Sequence, residues 1–327
     1  MLSNLFHRKP RNPGMLGISI SADGIALAHV RREAQGLPRL LKADYQPLGP
    51  GEHASDVLQM RLRQLDLEDV PVATTLSPGE FTLQMVPAPE VPPEEMRQAV
   101  RWRLKDTLTY DVDEAVVDVF ELPREALRSG AAMLYAVVAP RWAVQARIDL
   151  LEDAGANLQY IDIPEMAQRN IAALLAEDAQ GLATLSFSHD TGLLTLTREH
   201  NLYLARELEQ GEQILIPVPE VLEGSTGMAL EGPAPDLQRA VDSIVLEVQR
   251  SLDYFESHFT LPPITRLAVG GRIREMPGLA DALSTQLGLQ IIEIDFNQLL
   301  VTDTPLDAAL QARCHLAIGL ALRDEGA

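Results

Sequence analysis

The chain has 327 residues and a formal net charge of −20, which excludes a general nucleic-acid-binding surface because phosphate contacts need clustered basic residues. A hydrophobic content of 46% with 23% charged residues is ordinary for a globular protein with large cores, and the length suggests two or three domains. The single cysteine, Cys314, cannot form an internal disulfide and indicates a reducing compartment such as the cytoplasm.

Residues 1–14 are predicted to form a basic N-terminal arm in which apolar residues precede His7, Arg8, Lys9 and Arg11. The arm lacks the apolar core of a secretory signal, and no run approaches the roughly 18 apolar residues of a membrane span. We therefore expect a cytoplasmic protein without a transmembrane segment. The arm itself has two interpretations, a frayed terminus or a short contact with an anionic membrane surface.

The stretch 16–30 contains two runs with alternating apolar residues, LGISIS and IALAHV, separated by the turn Ala22-Asp23-Gly24. This pattern predicts a β-hairpin. A similar pattern returns at 183–197, as ATLSFSHDTGLLTLT. Superposing the two copies pairs Ser19 with Ser186, Ser21 with Ser188 and Gly24 with Gly192. The repeat predicts two duplicated halves with a cleft between them, although two unrelated amphipathic hairpins are the alternative.

After the first hairpin, the periodicity predicts a sheet with helices and then a compact α+β unit inserted at 81–154. The predicted elements are a strand at 40–48, a helix at 56–67, strands at 70–78 and 81–86, a helix at 94–108, strands at 115–122 and 131–139, and a helix at 142–154. A strand at 158–164 and a helix at 165–177 follow. We assign 15–80, together with 155–180 and 305–325, to the first half.

The predicted helix at 94–108 carries a basic stripe, Arg97, Arg101 and Lys105, at helical spacing. Trp102 and Tyr110 lie near it in the sequence. The stripe is unusual in so acidic a chain. It has two interpretations: a solvated face neutralised by nearby carboxylates, or a surface that docks a protein partner.

The second half is assigned to 181–304 and opens with the repeated hairpin. Its further elements are predicted as a strand at 202–209, a loop at 211–235, a long helix at 237–259, a strand at 264–271, a helix at 276–289 and a strand at 290–294. A final helix, 306–322, is dominated by Ala and Leu. The strand ending in Gly270-Gly271 is a common way to bring backbone N–H groups to a phosphate, although paired glycines also form plain turns.

Several stretches together resemble the PilM family of type IV pilus assembly, over about Met15 to Arg323. They are PEEMRQAVRWRLKDTLTYDVDEAVVDVF, LLEDAGANLQYIDIPEMA, RSLDYFESHF, VGGRIREMPGLADAL and AIGLALR. The resemblance implies a mixed α/β chain with the actin-like ATPase fold, in which two halves surround a cleft. It also implies a small inserted subdomain of the FtsA type, here 81–154.

The resemblance places the family's two phosphate loops on the two hairpins, where the family has an Asp and a Gly. Here Ser19 and Ser21 stand at those positions in the first hairpin, and Ser186 and Ser188 in the second. A serine brings no negative charge to hold Mg²⁺ or orient water, and its side chain crowds a phosphate. Asp23 and Asp190 lie nearby, inside the turns, where they could compensate.

We therefore expect a degenerate ATPase without catalytic residues, with no cofactor and no metal site; ATP with Mg²⁺ is disfavoured, and nucleotide binding without turnover stays open. The degenerate nucleotide site implied by the resemblance comprises Ser19, Ser21, Asp23, Gly24, Ser186, Ser188 and Asp190, and on the adenosine side Glu247, Arg250, Ser251, Gly270, Gly271 and Arg272. The alternative role of the adenosine-side residues is to hold the two halves together.

The resemblance also implies partners. The expected function is a scaffold of an MSHA-type pilus platform, peripheral to the inner membrane, that docks the cytoplasmic segment of a bitopic assembly protein of the PilN or MshJ type. An assembly ATPase is a further candidate partner. The docking groove would lie between the first subdomain and the inserted one, lined by Arg97, Arg101, Trp102, Lys105 and Tyr110. The alternative function is a nucleotide-binding ATPase or nucleotide-dependent switch.

Overall fold

The computed structural model describes residues 14–216, 235–270 and 272–323. Residues 1–13 of the predicted arm, most of the predicted loop at 211–235 and the predicted site residue Gly271 lie outside the described residues. The described strands are β1 Met15–Ile20, β2 Gly24–Arg31, β3 Arg39–Pro47, β4 Pro71–Thr75, β5 Thr82–Pro87, β6 Ala115–Glu121, β7 Met133–Pro140, β8 Asn157–Asp162, β9 Leu182–Phe187, β10 Gly192–Arg198, β11 Asn201–Leu208, β12 Arg266–Val269, β13 Gln290–Glu293 and β14 Val301–Thr302.

The described α-helices follow the predicted amphipathic segments, with two unpredicted short helices, α5 and α8. They are α1 Ala54–Leu65, α2 Pro93–Arg103, α3 Arg141–Asp153, α4 Pro164–Ala172, α5 Glu212–Leu215, α6 Pro235–His258, α7 Leu279–Leu287, α8 Phe296–Leu299, α9 Ala308–Arg313 and α10 His315–Ala321. Short 3₁₀ helices occur at Lys105–Thr107, Val112–Glu114, Arg124–Ala126, Ala176–Gln180 and Ile273–Glu275. Among these described residues, no helix is both long and apolar enough to cross a membrane.

The strands form three sheets, and the two larger sheets repeat one motif. Their strand orders are β14-β3-β2-β1-β4-β8 for the first half, β11-β10-β9-β12-β13 for the second half and β5-β7-β6 for the inserted unit. In each large sheet the first strand of the hairpin pairs antiparallel with the second and parallel with a later strand, β1 with β4 and β9 with β12. The predicted duplication is therefore present in the topology.

The two hairpin turns superpose with one correction to the predicted pairing. The amide of Ser21 donates to the carbonyl of Gly24 at 2.9 Å, and the amide of Ser188 donates to that of Thr191 at 2.8 Å. Gly24 therefore corresponds to Thr191 and not to Gly192, which pairs with Phe187 one step further along the ladder. A glycine is required at position 24 for a separate reason: a Cβ there would clash with the Tyr45 side chain.

Helices α4 and α10 lie between the two large sheets and hold them at a fixed distance. Helix α10 packs against β1, β2, β4 and α4, while α4 also contacts β9, β10 and β11. Two glycines allow this close approach, because a Cβ at Gly17 would clash with the Ala317 carbonyl and one at Gly319 with the Ala167 carbonyl.

The final predicted helix is divided at Cys314 into α9 and α10, which have different environments. Helix α10 is buried at six of its seven positions, whereas α9 has no buried residue. Of the two helices, only α10 is therefore packed on both sides. The division places Arg313 and His315 at the cleft.

The inserted unit packs on both halves. Its own core contains Val100, Leu104 and Leu134. On the side of the second half, the Tyr135 hydroxyl donates to the Tyr203 carbonyl at 2.8 Å, and both side chains belong to the core of that half. Helix α3 contributes Leu151 to the core of the first half, where it contacts α1 and β8, and it also contacts β6 and β7 of the inserted sheet.

Candidate functional site

A cavity of about 580 Å³ lies in the cleft between the two halves, where the two hairpin turns meet. Its volume falls in the range of small-molecule sites, roughly 300–1,000 Å³. Its walls come from the first turn, the loop after β4, the start of α4, the second turn, the inserted unit and the junction of α9 with α10. All the predicted phosphate-side residues line it: Ser19, Ser21, Asp23, Gly24, Ser186, Ser188 and Asp190.

The first turn is closed by its own side chains. The Ser21 hydroxyl donates to Asp23 Oδ1 at 2.6 Å, and the Tyr45 hydroxyl donates to the Asp23 carbonyl at 2.9 Å. The Arg313 guanidinium pairs with the Asp23 carboxylate and lies 4.9 Å from the centroid of the Tyr45 ring. Burial acts to raise the pKa of Asp23, but the Ser21 hydrogen bond and the Arg313 charge outweigh it, so the pKa lies below its usual value. The Asp23 carboxylate is therefore ionised and paired with Arg313.

The second turn holds its serines in the same way. The Ser188 hydroxyl donates to the Thr191 carbonyl at 3.0 Å. Ser186, at the position where the family has its second Asp, donates to Gln168 Oε1 at 2.5 Å. The amide of Gln168 in turn donates to the Thr184 carbonyl at 2.8 Å. Ser186 thus belongs to a buried network that joins α4 to the second sheet.

Glu165, at the start of α4, also lines the cavity and was not predicted from the sequence. Burial, followed by the neighbouring charges of Glu207 and Asp162, raises the pKa of Glu165 to about 7, against the opposing effect of a backbone hydrogen bond. Its Oε2 atom is buried and has no hydrogen-bond partner among the described residues. At neutral pH this carboxyl is therefore partly protonated and partly ionised.

His315 is a second unpredicted residue of the cavity wall. Its side chain is 4% exposed, and neither ring nitrogen has a hydrogen-bond partner within the part of the chain that the structure describes. Burial lowers the pKa of His315 to about 4, so the ring is neutral at physiological pH. It packs against Gly270, where a Cβ would lie 2.5 Å from the ring.

The described members of the predicted adenosine-side set lie outside the cavity lining: Glu247, Arg250, Ser251, Gly270 and Arg272. Glu247 pairs with Arg250 at 2.7 Å and with Arg206 at 3.5 Å on the surface of α6. The Ser251 hydroxyl donates to the Glu247 carbonyl at 2.7 Å, within the same helix. Arg272 pairs with Glu275 and reaches only Glu212 at the cavity edge, at 3.9 Å. The structure thus groups the phosphate side and separates it from these residues.

The basic stripe of α2 is largely neutralised within the inserted unit. Arg97 pairs with Asp118 at 2.8 Å, and Arg101 pairs with Asp113 at 2.9 Å. Lys105 lies 5.9 Å from the centroid of the Trp102 ring, which is 53% exposed. Of the two interpretations of the stripe, neighbouring carboxylates account for both arginines, while Trp102 and Lys105 face solvent.

Tyr110 and Trp142 are two further aromatic residues of the inserted unit, and they differ in exposure. Tyr110 is half-buried against the core of the inserted unit, and burial raises its pKa. Trp142, in the first turn of α3, is 65% exposed and was not singled out from the sequence. An isolated tryptophan in the first turn of an otherwise amphipathic helix was the available signal.

The donor atoms around the cavity determine whether it could hold a metal ion. Within residues 14–216, 235–270 and 272–323, no group of three His, Cys, Asp or Glu side chains is placed to hold a metal ion. The two family Asp positions carry serines, one of which is committed to Gln168. The serines at these two positions supply no carboxylate to a Mg²⁺ ion bound with a nucleotide triphosphate.

No protein-family model matches the sequence, and no curated protein matches it. Among solved structures, the chain is similar to one described as the PilM-PilN type IV pilus biogenesis complex, with a TM-score of 0.73 and 20% identity over 95% of this chain and 98% of that chain. A Bacteroides thetaiotaomicron protein with actin-like ATPase fold and unknown function matches with a TM-score of 0.49 and 11% identity, over 90% of this chain and 95% of that one. The cytoplasmic domain of EpsL, an inner membrane component of the type II secretion system of Vibrio cholerae, matches with a TM-score of 0.46 and 12% identity, over 93% and 94%.

The first of these similarities, with a TM-score of 0.73, establishes the fold of the chain. The first similarity spans nearly the whole of both chains. It agrees with the topology described above, in which two hairpin-led sheets flank two central helices. The prediction of a mixed α/β chain with the actin-like ATPase fold is confirmed.

Proposed function

We propose that this chain is a non-catalytic scaffold of a type IV pilus assembly platform at the inner membrane, of the MSHA-type and MshI-like kind. It docks the cytoplasmic segment of a bitopic membrane protein of the PilN or MshJ type. The observation that carries the proposal is the fold similarity to the PilM-PilN complex over 95% of this chain. The family motifs of the sequence support the same assignment.

The absence of catalysis is the second part of the proposal, and the geometry of the two hairpins supports it. Hydrolysis of ATP in this fold needs a carboxylate to hold Mg²⁺ and orient the attacking water. Ser19 and Ser186 supply none, and Ser186 donates its hydroxyl to Gln168. Asp23 is neutralised by Arg313 and cannot readily take over the role.

The docking site is proposed at the edge of the inserted sheet, which we call the β6 edge: Val116 on β6, Trp102 on α2 and Trp142 on α3. Strand β6 is an edge strand, so its outer backbone groups can pair with an extended peptide. Helices α2 and α3 both contact β6, and each carries an exposed tryptophan. Exposed aromatic residues beside a free strand edge are typical anchors for a peptide.

The test is a calorimetric titration of the partner's cytoplasmic peptide into the chain and into the variants Trp102→Ala and Trp142→Ala. We expect at least one variant to weaken binding by about tenfold or more, because aromatic anchors carry much of the energy of an interface. Leu246→Ala is the matched control, since Leu246 is 48% exposed on α6, away from β6. Unchanged affinity in both tryptophan variants would remove the β6 edge as the docking site.

Charge reversal of Arg97 and Arg101 tests the role proposed for the basic stripe. Their ion pairs with Asp118 and Asp113 are largely exposed on at least one side, so losing them should cost the fold only about 0–1 kcal/mol. We expect weaker capture of the peptide without loss of folding. If the peptide binds the double variant as tightly as the parent chain, the stripe has no part in docking.

A further inference from the structure

The walls of the cleft cavity carry far more negative than positive charge. Five carboxylate residues line it: Asp23, Glu165, Asp190, Glu207 and Glu212. The Arg313 guanidinium in the lining is already paired with Asp23, Arg272 lies 3.9 Å from Glu212, and the His189 ring lies 3.9 Å from Asp190, so Glu165 and Glu207 are the lining carboxyl groups without an ion pair among the described residues. A polyphosphate entering this cavity would meet like charges at short range.

Two buried polar groups of the wall are also left without a protein partner. Glu165 Oε2 and both ring nitrogens of His315 have no hydrogen-bond partner among the described residues. Buried polar atoms are nearly always satisfied in folded proteins, so such groups call for a ligand or ordered water. A carboxylate and a neutral imidazole can both accept a hydrogen bond. The neutral imidazole also carries one N–H donor, so a ligand with N–H groups would satisfy Glu165 Oε2 and the accepting ring nitrogen, while the other ring nitrogen needs an acceptor.

The same cavity offers apolar surface next to these acceptors. Phe81, Leu83 and Tyr135 line it from the inserted unit and the segment leading into β5. A ligand with a flat or aliphatic body could pack there while its polar head faces α4. Apolar walls with a few convergent polar groups are the usual composition of a small-molecule site.

We propose that the cleft cavity binds a small organic cation, an amine, amidinium or guanidinium group on an apolar body, in place of a nucleotide. The cationic head would lie between Glu165 and Glu207, within reach of His315, and the body against Phe81, Leu83 and Tyr135. This site is independent of the β6 edge, so the pilus role and the cation site can fail separately. A polyvalent metal is a poorer candidate, because the described residues supply no set of three ligands for one.

The test compares benzamidine with benzamide by calorimetry at pH 8, where Glu165 is charged. The two probes share an apolar body and nearly the same shape and differ in charge. We expect benzamidine to bind about tenfold or more tightly than benzamide, because a buried ionic hydrogen bond is lost in the neutral probe. ATP with Mg²⁺ is expected to bind more weakly than benzamidine. Equal binding of the two probes, or tighter binding of ATP, overturns the proposal.

Variants locate the cation. Glu165→Gln and Glu207→Gln should each weaken benzamidine binding, and Glu207 is exposed, so its replacement should leave the fold intact. Glu256→Gln is the matched control, an exposed carboxylate on α6 outside the cavity. Benzamidine binding that persists unchanged in both cleft variants contradicts the assignment. Agmatine, a free small molecule with an amine and a guanidinium group, and acetyl-arginine amide, which mimics an arginine side chain of a partner, are titrated in parallel to distinguish these two sources of the cation.

Discussion

At the scale of single residues, three serines of the two hairpins make hydrogen bonds that hold the fold together. Ser21 and Ser188 close their turns, and Ser186 joins α4 to the second sheet through Gln168. These hydroxyls are used for structure. Glu165 lies on α4 and lines the cavity, and its buried Oε2 atom has no hydrogen-bond partner among the described residues.

Glu165 makes the stability of the protein depend on pH in a defined direction. Its pKa is raised from 4.5 to about 7 in the folded chain, chiefly by burial. The folded state therefore favours the protonated form, and its stabilising contribution, complete below pH 4.5, is lost as the pH rises through 7. We expect Glu165→Gln to stabilise the chain by ~1–3 kcal/mol at pH 8 and by much less at pH 5.

Urea denaturation at pH 5 and pH 8 measures this difference directly. Glu256→Gln, an exposed carboxylate on α6, should give the same free energy of unfolding as the parent chain at both pH values. A stabilisation of Glu165→Gln that is equal at pH 5 and pH 8 would show that the carboxyl does not titrate as the structure indicates.

At the scale of elements, the two central helices define how close the sheets can come. Gly319 of α10 faces the Ala167 carbonyl of α4, with no room for a side chain. We expect Gly319→Ala to destabilise the chain by ~1–3 kcal/mol, because a methyl group must push the helices apart. The free energy of unfolding in urea is the measurement.

Ala309→Val is the control for that substitution. Ala309 lies on the exposed face of α9, where two added methyl groups meet solvent and cost only helix propensity, under ~0.7 kcal/mol. If Gly319→Ala is no more destabilising than Ala309→Val, the contact between α4 and α10 has room for a methyl group, contrary to the structure.

The elements also show how far the sequence alone could predict this structure. Periodicity identified the hairpins, α2, α3 and α6 within a few residues, because each buries one regular face. It did not indicate the break at Cys314, since an Ala- and Leu-rich run looks helical throughout. Nor could it find Glu165, Arg313 and His315 as cavity residues, because two segments distant in sequence, α4 and the junction of α9 with α10, meet there only through tertiary packing.

The same limit, that sequence patterns do not show contacts between distant segments, applies to the predicted site. The phosphate-side residues were found because they sit on a repeated local motif, whose two turns the fold brings into one cavity. The adenosine-side residues were carried over from the family by position, and in this chain Glu247, Arg250 and Arg272 pair with neighbouring charges outside the cavity. Their role in nucleotide binding stays a prediction.

At the scale of the whole molecule, the inserted unit connects the two halves as well as carrying the β6 edge. Tyr135 reaches from β7 to the Tyr203 carbonyl and also lines the cavity, so the peptide-docking unit and the cleft share a wall. A ligand in the cleft could therefore affect docking through Tyr135 and through Phe81 and Leu83, which line the same cavity. The proposed scaffold needs no such coupling to ATP.

The most direct test of the scaffold role is a calorimetric titration of the partner's cytoplasmic peptide with and without ATP and Mg²⁺. We predict the same dissociation constant in both conditions, because the two hairpins carry Ser19 and Ser186 where the family has the carboxylates that hold Mg²⁺. An affinity change of about fivefold or more, a coupling of roughly 1 kcal/mol, would contradict the account and favour a nucleotide-dependent switch.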